Sequence, residues 1–228
     1  MSDREHLRIV ISSRGDVGDE YARAQALSGL AARLTGEQRN EALSEALAAA
    51  KAIDSEYVRA CALSGLAAHL TGEQITEALA AAKAIGSEHA RAQALSGLAA
   101  DLTGEQIAEA LAAAKVIGSE YARARALSGL AAHLTGEQRS EAAGEALTAV
   151  KAIGDEDARA RALNGLAAHL TGEQIGEALA VAKAIGDEDA RAGALNGLAA
   201  HLIGEQRSEA VTEALATAKV TSMPVLKR

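Results

Sequence analysis

The chain reads as an all-α protein: a right-handed, superhelical α-solenoid of six helix-turn-helix repeats preceded by half a repeat. Three observations predict this. The stretch ALSGLAAHLTGEQ at Ala62–Gln74 returns letter for letter at Ala126–Gln138, with near-copies starting at Ala26, Ala94, Ala162 and Ala194. The glycines at the centre of the copies, Gly29, Gly65, Gly97, Gly129, Gly165 and Gly197, lie 36, 32, 32, 36 and 32 residues apart, a spacing that signals a stacked array. The composition is 49% hydrophobic, yet it holds no Phe, no Trp and three Tyr. Most of the apolar residues are alanine, the best helix former, so a core must come from close helix approach and not from bulk.

Residues 1–18 are expected to be a degenerate capping helix, because Glu5 to Val17 resembles a decayed second helix ending before Gly18-Asp19-Glu20. The repeats then start near residues 19, 55, 87, 119, 155 and 187, forming one repeat domain over 1–220. The last helix is expected to run to about Lys219, with residues 221–228 a frayed tail.

Each repeat divides into helix A and helix B. In the second, Asp54-Ser55-Glu56 opens helix A with a polar N-cap, and the helix is expected to run to about Leu70. Thr71-Gly72-Glu73-Gln74 fits a capping box. Helix B continues through Ile75, Leu79, Ala82 and Ile85, and Gly86 is placed where a left-handed C′ residue is wanted. Ile203 replaces the capping Thr in the last repeat, so that helix B is expected to start less firmly, by about 1 kcal/mol. Leu63, Leu66, Leu70, Ala60 and Ala67 share one arc of helix A, and Ile75, Ala78, Leu79, Ala82 and Ile85 one arc of helix B. A single hairpin cannot bury both arcs, whereas stacked neighbours can.

The two repeat lengths differ by four residues, about one helical turn, inserted in helix B. Short repeats read GEQI, with Ile75, Ile107 and Ile175; long ones read GEQR, with Arg39, Arg139 and Arg207. The mid-helix glycines each cost about 1 kcal/mol against Ala. Their recurrence predicts another backbone lying close at each.

Charged residues recur as well. Arg23, Arg59, Arg91, Arg123, Arg159 and Arg191 each stand three residues after a Glu, which predicts an i,i+3 pair that also ties neighbouring repeats. Lys51, Lys83, Lys115, Lys151, Lys183 and Lys219 suit the C-terminal dipole of helix B.

The pattern ALSGLAAHL…EALAAAKAI resembles the tetratricopeptide class of helical repeats. Leu66 stands at the family leucine, Ala67 at its glycine, Leu70 at its tyrosine, and Glu77-Ala78-Leu79 at its second-helix signature. The interhelix turn is one residue shorter, and no repeat closes with Pro. HEAT-type solenoids and the Ala/Leu-rich helical arrays attached to bacterial signalling NTPases are similar. The resemblance implies a scaffold or protein-binding role by analogy.

No phosphate-cradling GxxxxGK[ST] and no nucleophile elbow occurs, so no enzyme and no cofactor are expected. His69, His133, His169 and His201 share one slot with Arg33 and Asp101; stacked equivalents lie too far apart to share a metal, so these are expected to be solvated helix-end residues. A net charge of −8 disfavours nucleic acid and anionic lipid. One cysteine, Cys61, and a start without a long apolar run favour a cytoplasmic protein.

Among near-identical copies, the varying positions are informative. The start of helix A carries Tyr21, Tyr57, His89, Tyr121, Asp157 and Asp189. Four residues on stand Gln25, Cys61, Gln93, Arg125, Arg161 and Gly193; three further stand Ser28, Ser64, Ser96, Ser128, Asn164 and Asn196. These share one face of helix A. They form the candidate groove, Tyr/Gln-rich first and Asp/Arg/Asn-rich later, on the concave side. The plain alternative is drift on a solvated face, with Asp157–Arg161 an i,i+4 pair. The expected function is a non-catalytic scaffold for a protein or peptide. The alternatives are a self-assembling array, or an engineered, idealised repeat protein without an evolved ligand.

Overall fold

A computed structural model describes residues 19–202 together with 204, 207, 208, 210–212 and 214. The capping helix at 1–18, the capping role of Ile203, the reach of the last helix to Lys219 and the tail at 221–228 lie outside the described residues. Among the described residues the structure is an all-α solenoid of sequentially packed helices without strands. The chain falls into two compact units, divided between Ile117 and Gly118.

The N-terminal unit contains α1 (Asp19–Ala31), α2 (Gly36–Ala52), α3 (Glu56–Leu66), α4 (Gly72–Lys83), α5 (Glu88–Leu98) and α6 (Gly104–Lys115). The C-terminal unit contains α7 (Glu120–Ala131), α8 (Gly136–Ala152), α9 (Glu156–Leu166), α10 (Gly172–Lys183) and α11 (Glu188–Ala199). Short 3-10 turns come after α3, α5 and α9, at Ala67–His69, Ala99–Asp101 and Ala167–His169. They replace the last α-turn expected up to Leu70.

The expected stripes are buried. Ala60, Leu63, Leu66 and Ala67 on the A side, and Ile75, Ala78, Leu79, Ala82 and Ile85 on the B side, are all closed to solvent. Each leucine or isoleucine so buried contributes about 1.5–3 kcal/mol. Helix starts coincide with the polar caps: Ser55, Ser87, Ser119, Asp155 and Asp187 accept from the backbone N–H three residues on.

The hairpins are of two kinds. In the long repeats, α1 lies along α2 and α7 along α8 in extensive contact. In the short repeats, α3 touches α4 only lightly and packs instead against α5; α9 likewise favours α11 over α10. The linker geometry accounts for this. Thr35 and Thr135 make no side-chain cap, and the chain turns back through left-handed Gly36 and Gly136, both at φ 58. Those two positions suit glycine because a Cβ strains that conformation. In the short repeats Thr71, Thr103 and Thr171 form capping boxes with Gln74, Gln106 and Gln174. The Gln74 carbonyl oxygen accepts from the Thr71 backbone N–H at 3.1 Å and from its hydroxyl at 3.0 Å.

Gly86 corrects an expectation. It is not left-handed: helix α4 ends in αR at Ala84, and Ile85 N–H bonds Ala82 O at 3.2 Å, so no reversed residue is needed. The glycine instead makes room. A Cβ there would lie 2.9 Å from Glu56 Oε1. The mid-helix glycines divide similarly. A Cβ on Gly97 would overlap the Ser64 side chain and approach Ser64 Cα to 3.2 Å, and one on Gly197 would overlap Asn164. At Gly29, Gly65 and Gly165 nothing lies within 4 Å, so close approach is not their reason.

Candidate functional site

The charged residues that recur in every repeat serve the stack. The guanidinium of Arg59 donates to Ile53 O (2.8 Å) and Asp54 O (3.2 Å), Arg91 to Ile85 O (2.8 Å), Arg159 to Ile153 O (2.9 Å) and Arg191 to Ile185 O (2.7 Å). They clamp the carbonyls left open where the preceding helix B ends. The expected i,i+3 pair appears at Arg23–Glu20 (3.5 Å) and Arg91–Glu88 (3.8 Å). At Glu56 it gives way to a longer reach. The Glu56 carboxylate accepts from the backbone N–H groups of Gly86 (2.8 Å) and Ser87 (2.7 Å), which begin the next helix A. Glu156 does the same to Gly186 (2.9 Å) and Asp187 (2.6 Å). These amide bonds hold both carboxyls below the usual carboxylate range, with nearby arginines adding to the effect.

The lysines also do more than meet a dipole. Lys51 pairs with Glu77 at 2.5 Å, Lys83 with Glu109 and Lys151 with Glu177, each joining one helix B to the next in its unit. The capping glutamines form a second tie. Gln74 Nε2 donates to Asn40 O (3.2 Å) and Ser44 Oγ (3.0 Å), Gln106 Nε2 to Thr76 Oγ1 (2.8 Å), and Gln174 Nε2 to Ser140 O (2.8 Å). Their spacing from the partner helix recurs through the sequence and was the available signal.

What remains is the varying face of helix A. Tyr21 and Gln25 on α1, with Ser28 one turn on, face Cys61 of α3 across a cleft of 170 Å³. Ala24, Ala62, Gly65 and Leu66 supply its apolar part. The structure thus brings together four residues that the sequence placed on this face. Across the next junction the same face closes: Ser64, bonded to Ala60 O at 2.8 Å, fills the space over Gly97. Tyr57 stands out at 63% exposure, and His89 is exposed, while Gln93 is half-buried.

In the C-terminal unit the equivalent helices are α7 and α9. Tyr121 is half-buried, and Arg125 and Arg161 are exposed. Ser128, 9% exposed, donates its hydroxyl to Gly165 O at 2.9 Å and joins the two helices there. Asp157, Asp189, Asn164 and Asn196 are exposed; Asn164 Nδ2 donates to Gly193 O at 3.3 Å. The i,i+4 pair Asp157–Arg161 is not formed among the described residues, so that simple account of the two side chains does not hold.

The helix-end histidines are not alike. His169 is half-buried, and Arg139 of α8 reaches it at 3.5 Å while donating to Ala168 O at 2.7 Å. Burial pushes the His169 pKa down, and Arg139, His133 and His201 add to the shift. No group of three metal-binding side chains is assembled among the described residues. No helix among them is long and apolar enough to cross a membrane. Compared with known proteins, the chain matches no family model and no curated protein sequence.

Proposed function

We propose that this chain is a non-catalytic helical-repeat scaffold that binds a protein or peptide segment on its helix A faces in the cytoplasm. The observation that carries the reading is the cleft between α1 and α3. It offers a Tyr ring, a carboxamide, a hydroxyl and a thiol around an alanine and leucine floor, the mixture that peptide-binding surfaces use. The invariant charges are taken up in joining repeats, so the variable face is what remains to discriminate a ligand. The tetratricopeptide and HEAT resemblance supports the same role, and a net charge of −8 speaks against nucleic acid.

Selection from a displayed peptide library, then NMR mapping, tests this. Selected peptides should shift amides of α1 and α3, and Tyr21→Ala with Cys61→Arg should weaken them at least tenfold. Peptides that bind these variants unchanged, or a library that yields no binder, would count against the proposal.

A further inference from the structure

The cleft of the N-terminal unit has a counterpart of different charge. Helices α7 and α9 repeat α1 and α3 at a shift of 100 residues: Gln25 becomes Arg125 and Cys61 becomes Arg161. The placement is set by a contact one turn away. Ser128 on α7 meets Gly165 on α9 at 2.9 Å, and Arg125 and Arg161 precede those residues by one turn on the same side. Two exposed guanidinium groups therefore flank one junction in a chain of net charge −8. The arginines of the recurring slot, Arg159 and Arg191, lie on another side of their helices and bond loop carbonyls there. Asp157, one turn before Arg161, makes no ion pair with it among the described residues. Beyond them, Asn164 and Asn196 offer amide donors on the same face.

We infer that the junction of α7 and α9 binds an acidic peptide segment, whose carboxylate is held by Arg125 and Arg161. The inference rests on the scaffold reading and names the ligand chemistry of its second unit. Guanidinium forks pair with carboxylates through two parallel hydrogen bonds, which an ammonium cannot reproduce. Such a surface site is screened by salt within about 8 Å at physiological ionic strength.

The test uses the full chain and a peptide library without charge bias. Wild-type protein should enrich peptides carrying Asp or Glu. The double variant Arg125→Gln/Arg161→Gln, with its helical circular dichroism unchanged, should lose that enrichment. An isolated acidic peptide should bind the variant at least tenfold more weakly, and its Gln-substituted copy should bind both proteins equally weakly. Raising salt from about 0.05 to 0.5 M should weaken only the acidic peptide on wild type. Peptides enriched without acids, or acidic peptides indifferent to both arginines, would overturn this inference and leave the α1/α3 site standing. An empty selection would overturn both.

Discussion

Thirteen identical residues take two conformations in this protein. At Ala62–Gln74 the helix ends at Leu66, passes through a 3-10 turn, and re-enters through the Thr71/Gln74 box with Gln74 only 8% exposed. At Ala126–Gln138 the helix continues to Ala131, turns through left-handed Gly136, and leaves Gln138 exposed. Local propensity is the same in both, so the difference comes from the next residue in the chain. Ile75 is 3% exposed and docks into the core, while Arg139 reaches out to Ala168 O. The first form swings helix B away and lets the A helices close on each other. The second folds a 17-residue helix B back along helix A, in place of a 12-residue one. In the N-terminal unit this difference separates an open cleft at α1/α3 from a closed contact at α3/α5.

Substitutions of the equivalent glycines should separate the two junctions most clearly. Gly97→Ala puts a methyl into Ser64 and should cost about 1–3 kcal/mol by thermal or urea unfolding. Ser64→Gly should restore most of that loss. Gly65→Ala, in open space at the cleft, should instead gain about 1 kcal/mol while weakening any peptide held there. Equal losses at both positions would erase the distinction.

The carboxylate ties make a smaller, pH-dependent contribution. The Glu56 and Glu156 pKa values are lowered in the folded protein. Their stabilisation is therefore present above the unfolded glutamate value, about 4.3, and is lost as pH falls through the lower folded value. Glu56→Gln/Glu156→Gln should flatten the acid limb of the stability curve, measured by urea titration at each pH. An unchanged slope would remove these ties from the account. The smallest effect is expected at Lys51→Met, which breaks an exposed ion pair worth about 0–1 kcal/mol; high salt should reproduce it.

Much of the fold was legible because it is periodic. The apolar arcs containing Leu63 and Ile75 predicted which sides are buried, and the Ser and Asp caps predicted where each helix A starts. The two hairpin types were not legible, because LTGEQ reads the same in both and only tertiary docking of the next residue selects the form. The Ile/Arg alternation at that position was the available signal. Tyr21, Gln25 and Cys61 were placed on one face by spacing alone, but their convergence on a cleft required the α1/α3 separation. Gly86 was misread because glycine after a helix can serve either a reversed backbone or a close carboxylate, and only Glu56 distinguishes them.

The central claim is that the kind of hairpin decides whether neighbouring A helices leave a cleft. Deleting residues 40–43 with Arg39→Ile converts the first repeat to the short form, and the rate of Cys61 alkylation reports the result. The account predicts at least a tenfold slower reaction than in the parent chain, because Ser28 would close over Gly65 as Ser64 closes over Gly97. A folded variant whose Cys61 reacts at the parent rate would contradict it.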